Sequence, residues 1–206
     1  MDVVIFAAIS IGVIHSFAPD HYLPFVAIGR SKKWSNERIM LFSLTGGSVH
    51  VLSSIAVGLL LFLGIDLLGI ARILESFSSY ALIAIGLLYA FASLLLPHHH
   101  IKTSSAASLI VLSLSPCIPL IPLLLIPGIN ALAVAAVYAI STLTTILTLT
   151  FLTTRAFRPP KVFHGTEEFF AGIIIALTGV ITHIFGLRPD RFSISCKQLR
   201  KLLIQL

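Results

Sequence analysis

Six apolar stretches dominate this chain, at residues 3–28, 39–63, 78–96, 109–126, 131–152 and 169–187. Each is near or above the roughly 20 residues that carry a helix across about 30 Å of hydrocarbon. The segments between them are short, and only 11% of the residues are charged. A soluble domain averages about 25% charged residues because it must cover its surface. The chain is therefore expected to be an all-α membrane protein with six transmembrane helices in residues 1–187. Residues 188–206 form a basic tail, read as an amphipathic helix with Leu199, Leu202 and Leu203 toward lipid.

Charge placement supports a membrane role and argues against nucleic acid as a partner. The formal charge is +6, but the cations sit in short runs beside apolar blocks. Arg30, Lys32, Lys33, Arg38, Lys102, Arg155, Arg158 and Lys161 follow the first, third and fifth segments, whereas the loops after the second and fourth carry only Arg72. The positive-inside rule then places the first group in the cytoplasm and both termini outside a cytoplasmic membrane. The chain opens Met1-Asp2 without a basic stretch, unlike a cleaved secretory leader. Cys117 and Cys196 are too few for a disulfide framework. Neither a phosphate-binding glycine loop nor a hydrolase triad signature is present, so enzymatic activity is not expected.

Two segments carry prolines where a helix interior should not. The first contains Ala18-Pro19-Asp20-His21-Tyr22-Leu23-Pro24, and the fourth contains Ser115-Pro116-Cys117-Ile118-Pro119-Leu120-Ile121-Pro122. Aligning Pro19 with Pro116 sets Asp20 opposite Cys117. Two halves of three helices each have opposite membrane orientations, the inverted-repeat plan of many transporters, with broken helices meeting near the midplane.

The first of these segments holds the strongest chemical signal. Asp20 is the only carboxylate deep within a span, and an ionised carboxylate there costs at least about 2.5–3.5 kcal/mol unless partnered. His15 and His21 flank it. A divalent cation would supply the missing charge and make all three side chains ligands. Imidazole with carboxylate suits Ni²⁺, Co²⁺ or Zn²⁺ better than Mg²⁺ or Ca²⁺. At about 100° per residue a regular helix would splay the three apart. Pro19 lifts that constraint, because it cannot donate to the His15 carbonyl and its ring opens the turn. His50, after Gly46-Gly47-Ser48 in the second segment, is placed to add a ligand from a closely packed neighbour.

Weaker candidates are Cys117, a soft ligand in the proline-rich segment, and His98, His99 and His100 in a cytoplasmic loop. Ser141, Thr142, Thr144, Thr145, Thr148 and Thr150 could line a polar path or pack helices together. His183, His164, Glu167 and Glu168 fall near segment ends and are read as interfacial.

The run His15-Ser16-Phe17-Ala18-Pro19-Asp20-His21 resembles the H-x4-D-H signature of the nickel/cobalt transporter family, and its Pro-Asp-His form is most similar to the UreH-like and NicO-like branch. Gly46-Gly47-Ser48-Val49-His50 resembles the glycine–histidine motif of that family's next helix. Ser115-Pro116-Cys117-Ile118-Pro119 resembles the proline-rich helix of the wider LysE-type superfamily, whose members include six-helix proteins of two three-helix halves. The resemblance implies a permease for Ni²⁺ or Co²⁺, with His15, Asp20, His21 and His50 as ligands, no permanently bound cofactor, and a homo-oligomer or metallochaperone as partner. Two alternatives stand beside it. One is a transmembrane thiol–disulfide relay of the same superfamily, which would need a second intramembrane cysteine where Asp20 stands. The other is a metal-binding accessory protein for metalloenzyme maturation.

Overall fold

The computed structural model describes residues 2–62, 68–95, 113–114, 117, 120–124, 126, 128–156 and 167–186. Every regular element among them is helical: α1 (Asp2–Ser16), a 3₁₀ turn (Pro19–His21), α2 (Leu23–Ser31), α3 (Asn36–Phe62), α4 (Leu68–Leu95), α5 (Ile121–Leu124), α6 (Ala131–Ala156) and α7 (Glu167–Gly186). The His98–His100 run, Cys196, the basic tail and half of the fourth apolar segment lie outside the described residues. Four helices are long and apolar enough to cross a membrane, over Asn36–Leu61, Phe77–Leu94, Ala131–Ala156 and Glu167–Ile184. Large apolar side chains point outward on them and on α1, with Val3 and Leu132 each 81% exposed. The protein is membrane-embedded.

The first apolar segment breaks where its prolines stand. Ala18 is extended at φ −59°, ψ 126°, the conformation that a following proline favours. Because Pro19 has no N–H, the His15 carbonyl accepts instead from Ala18 N–H at 3.0 Å, which tightens the last turn. Pro24 stands in the first turn of α2, where a missing N–H leaves no intrahelical bond unmade. The C-terminus of α2 closes with Trp34 N–H donating to the Gly29 carbonyl at 2.8 Å and Lys33 N–H to that of Arg30 at 3.2 Å. This Schellman closure holds Lys33 at φ 54°, a position glycine usually takes. Ser35 then caps α3 by accepting from Arg38 N–H at 3.2 Å.

The third helix differs from expectation, since α4 begins at Leu68, ten residues before the apolar segment assigned to it. Arg72 and Glu75 lower the local hydropathy, but both are good helix formers. Hydropathy marks depth in lipid; it does not mark where a helix starts.

Contacts between helices fix their directions. Gly12 of α1 faces Tyr138, Ser141 and Thr142 of α6, and Ser16 donates to the Thr142 carbonyl at 3.4 Å, so α1 and α6 run parallel. Gly47 of α3 meets Leu143 and Ile146 of α6. Farther along, Ser54 reaches Tyr138 through Cys117, so α3 and α6 are antiparallel. Ser113 lies beside Gly46, Cys117 at Ser54 and Leu124 against Gly58, so these three residues succeed one another along α3 in its own direction. In the α4–α7 pair, Gly179 meets Ser79 and Ile83, whereas Gly172 meets Gly86 and Ala90. These two helices are antiparallel, and their backbones touch along a glycine seam where a methyl group would strike main-chain atoms.

Two apolar cores result. One joins Ala8, Val51, Cys117, Leu120, Leu124, Val134 and Tyr138 around α1, α3, α5 and α6. The other packs Phe25, Ala27 and Ile28 of α2 on Leu82, Tyr89, Ala171 and Ile175 of α4 and α7. The broken first segment thus bridges the two helix groups.

Candidate metal centre

The break in the first segment brings its two histidines together. His15 ends α1 and His21 ends the 3₁₀ turn, and their Nε2 atoms stand 3.1 Å apart. His50, one residue past the centre of the 27-residue α3, completes the group. Ring centroids are 4.6 Å apart for His15–His21, 4.7 Å for His21–His50 and 5.5 Å for His15–His50. Three imidazoles from two chain segments therefore meet at mid-length of a membrane-spanning helix, and His50 is buried.

Cys117 joins them. Ligand atoms of His15, His50 and Cys117 all lie within 4.8 Å of one another. Cys117 N–H donates to Ser54 Oγ at 2.7 Å, and Ser54 in turn donates to the His50 carbonyl at 2.7 Å. The Tyr138 hydroxyl donates to Cys117 Sγ at 2.7 Å. Both cysteine and tyrosine are buried.

Asp20 takes a flanking place. Its Oδ1 lies 4.0 Å from His21 Nε2, and the carboxylate side chain is 15% exposed. Among the described residues that oxygen has no hydrogen-bond partner. The four side chains expected as ligands are thus neighbours. The three histidines are in mutual contact, and Asp20 stands behind His21 as the nearest negative charge.

The hydroxyls of α6 separate into two kinds. Thr145 and Thr148 donate to carbonyls of their own helix, at 2.8 Å and 2.7 Å. Thr150, and Ser43 on α3, are fully buried with no hydrogen-bond partner for Oγ among the described residues. Ser43 precedes His50 by seven residues, about 10 Å along the helix. These orphaned hydroxyls extend from the histidine cluster toward the end where Arg30 donates to the Thr154 carbonyl. Lys33 pairs there with Glu167 at 3.6 Å, and Arg38 lies over the Trp34 ring at 4.7 Å. Burial holds the Lys32 ammonium below the usual lysine range; Glu168 opposes that shift and Arg38 adds to it. At the opposite end, Tyr80 and His183 share a 3.2 Å hydrogen bond.

Sequence reading did not single out Tyr138 or Ser54. A signal existed for Ser54, one turn after His50. Tyr138 falls four residues before Thr142, on the buried face of α6. Comparison with protein-family models, curated proteins and solved structures finds no match.

Proposed function

We propose that this protein is a membrane permease for a divalent transition metal, Ni²⁺ or Co²⁺, bound near the bilayer midplane by His15, His21 and His50 with Asp20 as countercharge. The observation that carries this reading is the meeting of three imidazoles, two of them brought together by a proline break, deep in an apolar bundle. His15 and His21 stand at hydrogen-bond distance from each other, and what favours a shared ion is that the ligand atoms of His15, His50 and Cys117 also converge within 4.8 Å.

The helix directions support six crossings in two inverted halves. Alternating crossings make the first and fifth helices parallel, and set the second against the fifth and the third against the sixth. The contacts run in that sense. The pairing of α1 with α6 has its counterpart in Ser113, Cys117 and Leu124 beside α3. An in-plane two-fold axis relating the halves would exchange these two pairs.

The orphaned hydroxyls of Ser43 and Thr150 favour passage over a static site. A buried unsatisfied hydroxyl costs about 1–3 kcal/mol, and a partly hydrated cation moving between α3 and α6 would offset that cost. The cation-rich end is read as cytoplasmic. Inward movement would then draw on the membrane potential, worth about 2.3 kcal/mol per charge per 100 mV and twice that for a divalent ion.

The test is Ni²⁺ and Co²⁺ titration of the purified chain, followed by flux into proteoliposomes containing it alone. Wild type binds and transports, and His15→Ala loses both. Metal at 100 times Kd should add about 2.7 kcal/mol of stability to wild type only. Binding without flux would favour the accessory-protein reading, and no binding would refute a metal site.

A further inference from the structure

Cys117 is held more closely than a space-filling residue requires. Its backbone is tied through Ser54 to the carbonyl of His50, which fixes it in register with that ligand. Its sulfur receives the hydroxyl of Tyr138, a fully buried side chain. The surroundings of Cys117 are otherwise apolar, with Val51, Leu120, Leu124 and Val134 in the same core, yet the sulfur receives a donor that a space-filling cysteine does not need. A donor aimed at sulfur fixes where that atom points, as a ligand's outer partner does. The sulfur also lies within 4.8 Å of the nitrogens of His15 and His50. Ligands around one tetrahedral ion, at about 2.0–2.3 Å from it, stand roughly 3.3–3.8 Å apart. The His15–His21 separation of 3.1 Å is already near that spacing, and the His15, His50 and Cys117 atoms, within 4.8 Å of one another, need to close by no more than about 1–1.5 Å.

The geometry points to Cys117 as a thiolate ligand that joins His15 and His50 in a nitrogen–sulfur site, with His21 beside His15 as the further nitrogen donor and Tyr138 as the positioning residue of the sulfur. This rests on the metal-permease reading and narrows its substrate. On binding, the S–H bond breaks, a metal–sulfur bond forms, and the proton passes to solvent water; no oxidation state changes. A tetrahedral site of three imidazoles and a thiolate suits Co²⁺ and Zn²⁺. It disfavours Mg²⁺ and Mn²⁺, which prefer oxygen ligands, and Ni²⁺, which prefers square-planar or tetragonal geometry. Within the Ni²⁺/Co²⁺ pair the site therefore selects Co²⁺.

The experiment is a Co²⁺ titration of the full chain in detergent, read by absorption, with X-ray absorption of the Zn²⁺-loaded protein beside it. Wild type and Cys196→Ser are expected to show the strong visible bands of four-coordinate Co²⁺, a near-ultraviolet thiolate-to-cobalt band, and a Zn–S distance of about 2.3 Å. Cys117→Ser loses the near-ultraviolet band and binds Co²⁺ about 100-fold more weakly. Tyr138→Phe keeps the band, displaced in energy, and binds about 10-fold more weakly. Metal bound by wild type with nitrogen and oxygen scattering alone would overturn the thiolate assignment and leave the permease reading standing. Loss of the sulfur signal in Cys196→Ser would overturn it equally. Absence of metal binding by wild type would overturn both.

Discussion

At the residue scale, the informative contrast is between Asp20 and His50. Charge alone ranks Asp20 first among the ligands, since it is the lone carboxylate deep in a span. Position reverses the order, because His50 is in ring contact with both other histidines and Asp20 reaches only His21, at 4.0 Å. Asp20 then acts by orienting His21 and supplying countercharge, a role worth about 10–100-fold in affinity. Asp20→Asn is expected to weaken Co²⁺ binding about 10-fold and His50→Ala at least about 100-fold, measured by titration in detergent. Equal losses would place the carboxylate directly on the metal.

At the element scale, the broken first segment trades stability for geometry. A proline inside a helix costs about 3 kcal/mol relative to alanine. The break lets His15 and His21 meet although a continuous helix would hold them about 120° apart. Pro19→Ala should therefore raise the melting temperature of the metal-free protein and lower Co²⁺ affinity at least 10-fold, because a continuous turn would carry His21 away. A variant that binds metal normally would show that tertiary contacts alone, such as Phe25 against Gly46, hold the break open. The α4–α7 pair has the opposite character: its backbones close tightly along a glycine seam, as a fixed support would.

At the scale of the whole molecule, the distribution of charge sets a sidedness. Arg30, Lys32, Lys33 and Arg38 share one end with the C-terminus of α6 and the N-terminus of α7, joined by the Arg30–Thr154 and Lys33–Glu167 contacts. Asp2 and Asn130 lie at the other end, where the parallel helices α1 and α6 begin. In a Cys196→Ser background, Asp2→Cys should react with an impermeant maleimide on intact cells, and Glu37→Cys only after permeabilisation. The reverse pattern would invert the orientation and place the Arg30 end outside.

The apolar segments and the Pro-Asp-His run were legible from the chain because hydropathy and proline chemistry act locally. Lipid demands long apolar helices, and a proline opens its own turn wherever it stands. Three imidazoles could be proposed as neighbours on that basis. Which donors meet was decided by packing. The glycines at 12, 46 and 47 let α1, α2, α3 and α6 close on one another, and only that approach sets Cys117 and Tyr138 beside His15 and His50 while leaving Asp20 at the edge. Contacts between residues 15, 50, 117 and 138 join segments remote in sequence, and no local pattern encodes them.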